Sequence, residues 1–241
     1  MPTLSLASFN THYGLRPVRR PTPEPYDLTA AVRSLDADVV VLQEAWRPDG
    51  RHGQADDAAR ALGYELLHEL TGRASITTRW PQLSATGIGT SGIVVLTRLP
   101  ARRVGSIVVG PTLGDPAPAR SALEVELQVG AAALRLVAVH LTSRLPLGPP
   151  MQLRRLARAL PPPGVPAVLA GDCNFWGPGV RALVRGWRRA VRGRTWPARL
   201  PHSQIDHVLV RPGIEVLRAE VLDDLGSDHR PVRVELRLPG D

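Results

Sequence analysis

The chain has 241 residues, 43% hydrophobic and 22% charged, enough for one sizeable core, and a single domain over residues 1–241 is expected. Its lone cysteine, Cys173, excludes an intramolecular disulfide framework and a cysteine zinc cluster, which fits a reducing, cytoplasmic setting. The net charge of +8 would attract phosphate-bearing partners, but every basic residue is arginine, so GC-rich coding bias is an equal explanation.

In chain order, residues 3–9 read as a strand. Leu28, Ala31, Val32 and Leu35 follow at helical spacing behind Asp27, a capping residue. Residues 39–42 read as a strand, and Ala55, Ala58, Ala59 and Leu62 as a helix that Gly63 ends. Residues 93–97 and 104–109 are β-type runs. Leu123, Val125, Leu127 and Val129 alternate with polar residues, the pattern of a strand with one face in a core and one in water. After a strand at 134–139, Leu153, Leu156 and Leu160 mark a helix between Pro150 and Pro161. A strand at 165–170 leads to a helical stripe of Val180, Leu183, Val184 and Trp187 behind Pro178. Residues 205–210 and the alternating Val232, Val234, Leu236 and Leu238 complete the strands. The Pro-rich stretches 16–25, 111–118 and 161–166 read as loops. Many strands with several single helices imply a layered α/β sandwich. No apolar run approaches the roughly 20 residues of a membrane helix, and MPTLSLASFN lacks the order of a secretion signal, so no integral membrane segment is expected.

The unusual polar residues each follow or open an apolar strand, where a rigid element aims them. Asn10 follows residues 3–9, Glu44 follows VVVLQ, His140 follows LRLVAV, and Asp172 and Asn174 follow VPAVLAG. Asp206 opens IDHVLV, and Asp228 and His229 precede PVRVEL. Gathered together, Glu44, Asp172, Asp206 and Asp228 would repel one another. A hard divalent cation with oxygen ligands removes that cost, which favours Mg²⁺; no HExxH or Cys/His spacing supports zinc. His140 and His229 beside such a cluster suit proton transfer. His12, His52, His68 and His202 read as surface or structural, and alternation turns His207 away from Asp206.

The ordered set SFN (to 10), LQE (to 44), VHL (around 140), GDCN (171–174), IDH (205–207) and SDH (227–229) resembles the endonuclease/exonuclease/phosphatase superfamily across nearly the whole chain. That superfamily includes pancreatic deoxyribonuclease, apurinic endonucleases, neutral sphingomyelinases and inositol polyphosphate 5-phosphatases. The resemblance implies a four-layered α/β sandwich, two packed, mostly antiparallel β-sheets flanked by helices, with Mg²⁺ or Mn²⁺ as cofactor. It assigns Glu44 as main metal ligand, with Asn10 and Asp228 helping to hold the metal or its waters. It has Asp206 orient His229, and Asp172 and Asn174 position the attacking water and the phosphoryl group. Water would attack phosphorus in line, helped by Asp172 or the Asp206–His229 pair, with His140 serving the leaving oxygen.

Two departures matter. Pancreatic deoxyribonuclease pairs the first histidine with a glutamate from an earlier strand, yet no acid occurs here between Glu69 and Asp115, so His140 is expected to be less readily protonated. Cys173 replaces the usual apolar residue of G-D-x-N and reads as a small buried hydrophobe rather than a nucleophile. Trp196, in a T-W-P stretch, reads slightly better as packing than as a pocket wall, and Arg-rich 186–194 as either a phosphate-backbone contact or a solvated helix end. The expected function is hydrolysis of phosphodiesters, with nucleic acid as a candidate partner, by a monomer. The alternatives are a phosphomonoesterase, a sphingomyelinase-like lipid head-group diesterase, with Trp46 and Trp80 as loop aromatics, and a non-catalytic scaffold.

Overall fold

The computed structural model describes residues 1–17, 24–76, 82–84, 88–111, 119–143 and 147–239. Trp80 and much of two expected Pro-rich loops, at 18–23 and 112–118, lie outside the described residues.

The chain opens with β1 (Thr3–Asn10), α1 (Leu28–Leu35), β2 (Val39–Pro48), α2 (Gln54–Leu62), β3 (Glu65–Ser75), β4 (Gln82–Ser84) and β5 (Gly89–Thr97). It continues with β6 (Ala101–Gly110), β7 (Arg120–Val129), β8 (Ala132–His140), α3 (Gly148–Ala159), β9 (Ala167–Asp172), α4 (Gly177–Leu183), β10 (Arg188–Arg189) and β11 (Asp206–Val210). It closes with β12 (Glu215–Val221) and β13 (Val232–Arg237). The first sheet runs β12-β13-β1-β2-β5-β3-β4 and the second β10-β11-β9-β8-β7-β6. All neighbours are antiparallel except β1 with β2 and β8 with β9. Each parallel pair needs a crossover, and a helix supplies it: α1 in the first sheet and α3 in the second.

Four layers result. Leu6, Val41 and Val95 of the first sheet meet Leu136, Ala138 and Val208 of the second in the central core. Val32, Leu35, Ala58 and Ala59 of α1 and α2 cover Val40, Leu42 and Leu96 on one outer face. Leu153, Leu156 and Val180 of α3 and α4 cover Val137, Leu169 and Leu209 on the other. β2 is buried on both faces, so its stretch VVVL is continuously apolar rather than alternating. Burying a Val or Leu side chain fully is worth about 1.5–3 kcal/mol, and these three interfaces supply most of the folding drive.

Several elements differ from their sequence expectation for identifiable reasons. The side chain of Asp27 accepts the Ala30 N–H and caps α1 as expected, and Gly63 ends α2 at φ +71°. By contrast, α4 stops at Leu183, so Trp187 leaves the helical stripe and packs under the Arg211 guanidinium, 4.7 Å from the ring centre. β3 and β12 carry too many exposed positions for hydrophobic alternation to reveal them. Trp46, expected in a loop, lies half-buried on β2. Among the described residues no helix is long and apolar enough to cross a membrane.

Candidate active site

The two parallel pairs run toward the same side of the sandwich, and β1, β8 and β9 end there on polar residues. β1 ends in Asn10; β8 ends in His140, in register with Asp172 at the end of β9. β11 runs antiparallel to β9, so Asp206 begins it directly opposite Asp172. His140, Asp172 and Asp206 therefore form one lateral row on one face of the second sheet.

The first sheet faces them with Glu44 and the turn before β13. β2 slips register against β5 between Leu42 and Ala45, a bulge that puts Glu44 at φ +53°. Such a bulge breaks alternation and re-aims a side chain at the cost of backbone strain. Asn174 (φ +46°) and His12 (φ +46°) carry similar strain beside the same site. Asp228 and His229 are fixed by Ser227, whose hydroxyl donates to the Asn10 carbonyl at 2.7 Å, and by the Ala198 N–H, which donates to the Asp228 carbonyl at 2.7 Å.

Asp172 Oδ2 is the point where these groups converge. Asn10 Nδ2 donates to it at 3.0 Å and Asn174 Nδ2 at 3.2 Å, while the Asn174 N–H donates to Oδ1 at 2.7 Å. The Nε2 atoms of His140 and His229 stand 3.8 and 3.9 Å from the same oxygen. His140 Nε2 is also 3.7 Å from Glu44 Oε1. His229 Nδ1 and Asp206 Oδ2 are 2.9 Å apart, both buried, in a contact that joins the sheets.

Burial and charge push these groups in opposite directions. Burial, then the Asp206 charge, raises Asp172 to about 7, against the pull of His229 and the donors on its oxygens. Burial alone would lower His229, but Asp206, through charge and hydrogen bond, with Asp172 and Asp228, lifts it well above the usual histidine range. Burial, then Arg120 and His229, holds His140 well below that range, in line with the missing acidic partner. Burial also pushes the Cys173 thiol up, so it is an inert core side chain.

The sequence profile described as the Endonuclease/Exonuclease/phosphatase family matches residues 7–229. The chain belongs to this family. Its members are phosphoesterases, which makes the chain a phosphoesterase by class. A structure from Beutenbergia cavernae, described as endonuclease/exonuclease/phosphatase, is 26% identical with TM-score 0.77, covering 100% of this chain and 72% of that one. A mannosyl-6-phosphatase from Bacteroides thetaiotaomicron is 19% identical with TM-score 0.65, covering 98% of this chain and 100% of that one. Truncated TDP2 from Caenorhabditis elegans is 14% identical with TM-score 0.64, with 97% of each chain covered; at these identities the last two share the fold. No curated protein matches the chain.

Members of the family typically use divalent metals, and two features here fit one. Asp172, Asp206 and His229 offer ligand atoms within 4.8 Å of one another, and Asp206 Oδ1 is buried without a hydrogen-bond partner. In that trio, however, the contact between His229 Nδ1 and Asp206 is a proton-bearing one. The other feature is the pair Glu44 and Asp228, at the more open side. Burial, then the Asp228 charge, raises Glu44, and no described residue donates a hydrogen bond to its carboxylate. Uncompensated carboxylate oxygens of this kind suit a hard cation. Asn10 keeps a second lone pair on Oδ1 after accepting the His12 N–H at 3.1 Å.

Four further residues were not singled out by sequence, or were read differently. Arg120 is buried at the start of β7; its Nη1 donates to the His140 carbonyl at 3.2 Å and its charge reaches Glu44 and His140. Thr195 is fully buried and its Oγ1 accepts the N–H groups of Ile205 and Asp206 at 3.2 and 3.3 Å, fixing the start of β11. His12, read as surface or structural, is buried and its charge bears on Glu44. Trp196, read as packing, turns its indole N–H to Asp228 Oδ2 at 3.3 Å and so reaches the site. The T-W-P stretch was the available signal for Thr195 and Trp196; nothing local separates Arg120 from surface arginines. His207 points away from Asp206 to the Phe175 carbonyl, 2.9 Å away, as alternation requires.

Proposed function

We propose that the protein is a divalent-metal-dependent phosphodiesterase that uses an activated water, with Asp172 as its base. The observation that carries this reading is the divergence around Asp172 Oδ2: a carboxylate raised to about 7, a histidine pushed up and a histidine pushed down, all within 4 Å of one oxygen. Groups whose environments drive their pKa values apart divide acid and base roles, and a base near neutrality is matched to the working pH.

Asn10 and Asn174 hold the Asp172 carboxylate so that it takes the water proton as the new P–O bond forms. His229, kept cationic by Asp206, faces the phosphoryl oxygens and offsets the charge that grows on them. His140, kept neutral, holds the leaving oxygen through a hydrogen bond as the ester P–O bond opens. Glu44 and Asp228, with Asn10 Oδ1, would hold Mg²⁺ or Mn²⁺, which when bound neutralises phosphoryl charge. Asp206 is a positioning residue, and Trp196 orients Asp228.

Hydrolysis of bis(p-nitrophenyl) phosphate and p-nitrophenyl phosphate, each with Mg²⁺, Mn²⁺ or EDTA, tests the reading, with Glu44→Ala as control. Diester turnover that EDTA and the substitution both abolish is expected. Monoester turnover alone would move the chain to the phosphatase reading, the chemistry that the name of the Bacteroides protein carries. Silence on both would overturn this reading in favour of a diesterase confined to lipid head groups or a non-catalytic scaffold.

A further inference from the structure

The positive charge of this chain is concentrated in one region. Residues 141–214 hold twelve arginines and only two acids, Asp172 and Asp206, both in the active site; the rest of the chain has eighteen arginines against twenty acids. Elsewhere many of the described arginines are paired, as in Arg47–Asp56, Arg135–Glu124 and Arg233–Glu235. In this region none of the described arginines forms an ion pair. Coding bias explains arginine in place of lysine but not the exclusion of carboxylates from one stretch.

The fold lays that stretch along one edge. A cavity of ≈ 520 Å³ between α3 and the turn after α4 is lined by Arg154, Arg158, Arg185 and Arg211, with Trp187 beneath and no acid. Arg211 Nε is buried there without a hydrogen-bond partner. From the cavity the chain returns along β11: Arg188 lies opposite Val210, Arg189 opposite Leu209, and the Ala190 N–H donates to the Val208 carbonyl. Arg192 and Arg194 follow, and two residues later Trp196 touches Asp228. The five residues of β11 span roughly 14 Å at about 3.4 Å per residue in a strand. Arg181 on α4 flanks the same edge: its charge and that of Arg192 add to burial in lowering Arg189, whose guanidinium donates to Gln204. Three cations crowded without a carboxylate repel one another until an anion arrives. At the active-site end stands Trp176, 58% exposed, directly after Asn174 and Phe175.

We propose that this edge, from the α3–α4 cavity through β10 to Trp196, is a binding track for the sugar–phosphate backbone of a nucleic-acid strand, with Trp176 stacking on a base near the scissile phosphate. A run of charge that ends at the site fits a polymer of phosphates, which a small ester would not need. A lipid surface is the weaker match, because α3, α4 and β10 themselves carry no large exposed apolar side chain, and those at their margins, Leu147, Trp176 and Leu200, are separate in the chain. The track rests on the phosphodiesterase reading for where the strand ends, not for whether it binds.

Binding is therefore measured without turnover, by anisotropy of a fluorescein-labelled DNA single strand of about twenty nucleotides in EDTA, across a series of salt concentrations. Arg181→Gln, Arg185→Gln and Arg192→Gln together remove exposed guanidiniums that no hydrogen bond or ion pair in the structure uses. The matched control Arg33→Gln, Arg51→Gln, Arg60→Gln removes equal charge on the other side. The track predicts at least tenfold weaker binding for the first variant, with a salt slope smaller by about 2, and wild-type-like binding for the control. Turnover of bis(p-nitrophenyl) phosphate stays at the wild-type level in both. Equal losses in both variants, no loss in either, or tight binding to anionic phosphatidylserine vesicles with none to the strand would each overturn the proposal. If the strand binds as predicted while the wild type hydrolyses no diester, the phosphodiesterase reading fails and the track stands.

Discussion

Asp206 and His229 show how little local chemistry decides a side chain's charge. His207 on β11 and His229 in the turn before β13 are both buried, yet burial wins for His207, lowered to about 4, and loses for His229. The difference lies in the carboxylates: Asp206 stands 2.9 Å from His229, with Asp172 and Asp228 adding to it, whereas His207 turns to the Phe175 carbonyl and the Asp206 charge offsets its burial only in part. Asp206→Asn keeps the shape and removes the charge. With burial then unopposed by its main counter-charge, the His229 pKa falls, so a larger fraction is neutral at neutral pH. Turnover at pH 7 should drop by about three orders of magnitude, and NMR titration of the imidazole should show the lowered pKa. A residual activity within threefold of wild type, or an unshifted titration, would remove His229 from the reaction.

At the scale of elements, the site is made by strand ends and by two irregularities in otherwise regular sheets. One is the bulge that re-aims Glu44 out of β2. The other is Gly171, at φ +144°, where β9 lies so close to β8 that a Cβ would sit 2.0 Å from the Val139 carbonyl oxygen. That approach brings His140 and Asp172 into the same row one residue later. Gly171→Ala should therefore cost about 3 kcal/mol or more through combined strain and overlap, read as a lowered urea midpoint, and should misplace Asp172 in the fraction that folds. A stability loss under about 0.5 kcal/mol would mean that the strands separate freely there and that the row is not fixed by this contact.

At the scale of the molecule, the two sheets bring different chemistry to one site. Asn10, Glu44 and Asp228 come with the first sheet; His140, Asp172 and Asp206 come with the second, and Asn10–Asp172 and His229–Asp206 cross between them. The repulsion of Glu44 and Asp228 is a cost of folding that a bound cation relieves, so metal should stabilise the whole sandwich. At about 100-fold over its Kd a ligand adds about 2.7 kcal/mol, or roughly 5–10 °C in Tm for a domain of this size. Differential scanning fluorimetry with Mg²⁺ against EDTA checks this. Glu44→Gln should lose the metal-induced shift and melt no lower than wild type in EDTA; an undiminished shift would place the cation elsewhere.

Sequence by itself determined the strand-and-helix order around the site, because hydrophobic periodicity is local, and the identity of its ionisable groups, because each caps an apolar run. The α1 cap at Asp27, the α2 stop at Gly63 and the ordered motifs from Asn10 to His229 were legible for that reason. Tertiary structure alone decided which protons those groups hold, since burial and the charges of distant strands set the opposite shifts of His140 and His229. It alone separated Arg120, buried beside His140, from arginines of identical local sequence character. It also decided the meaning of the net charge, which composition gives as a total while the fold lays an acid-poor run of arginines along β10 and α4 and pairs many of the others with carboxylates.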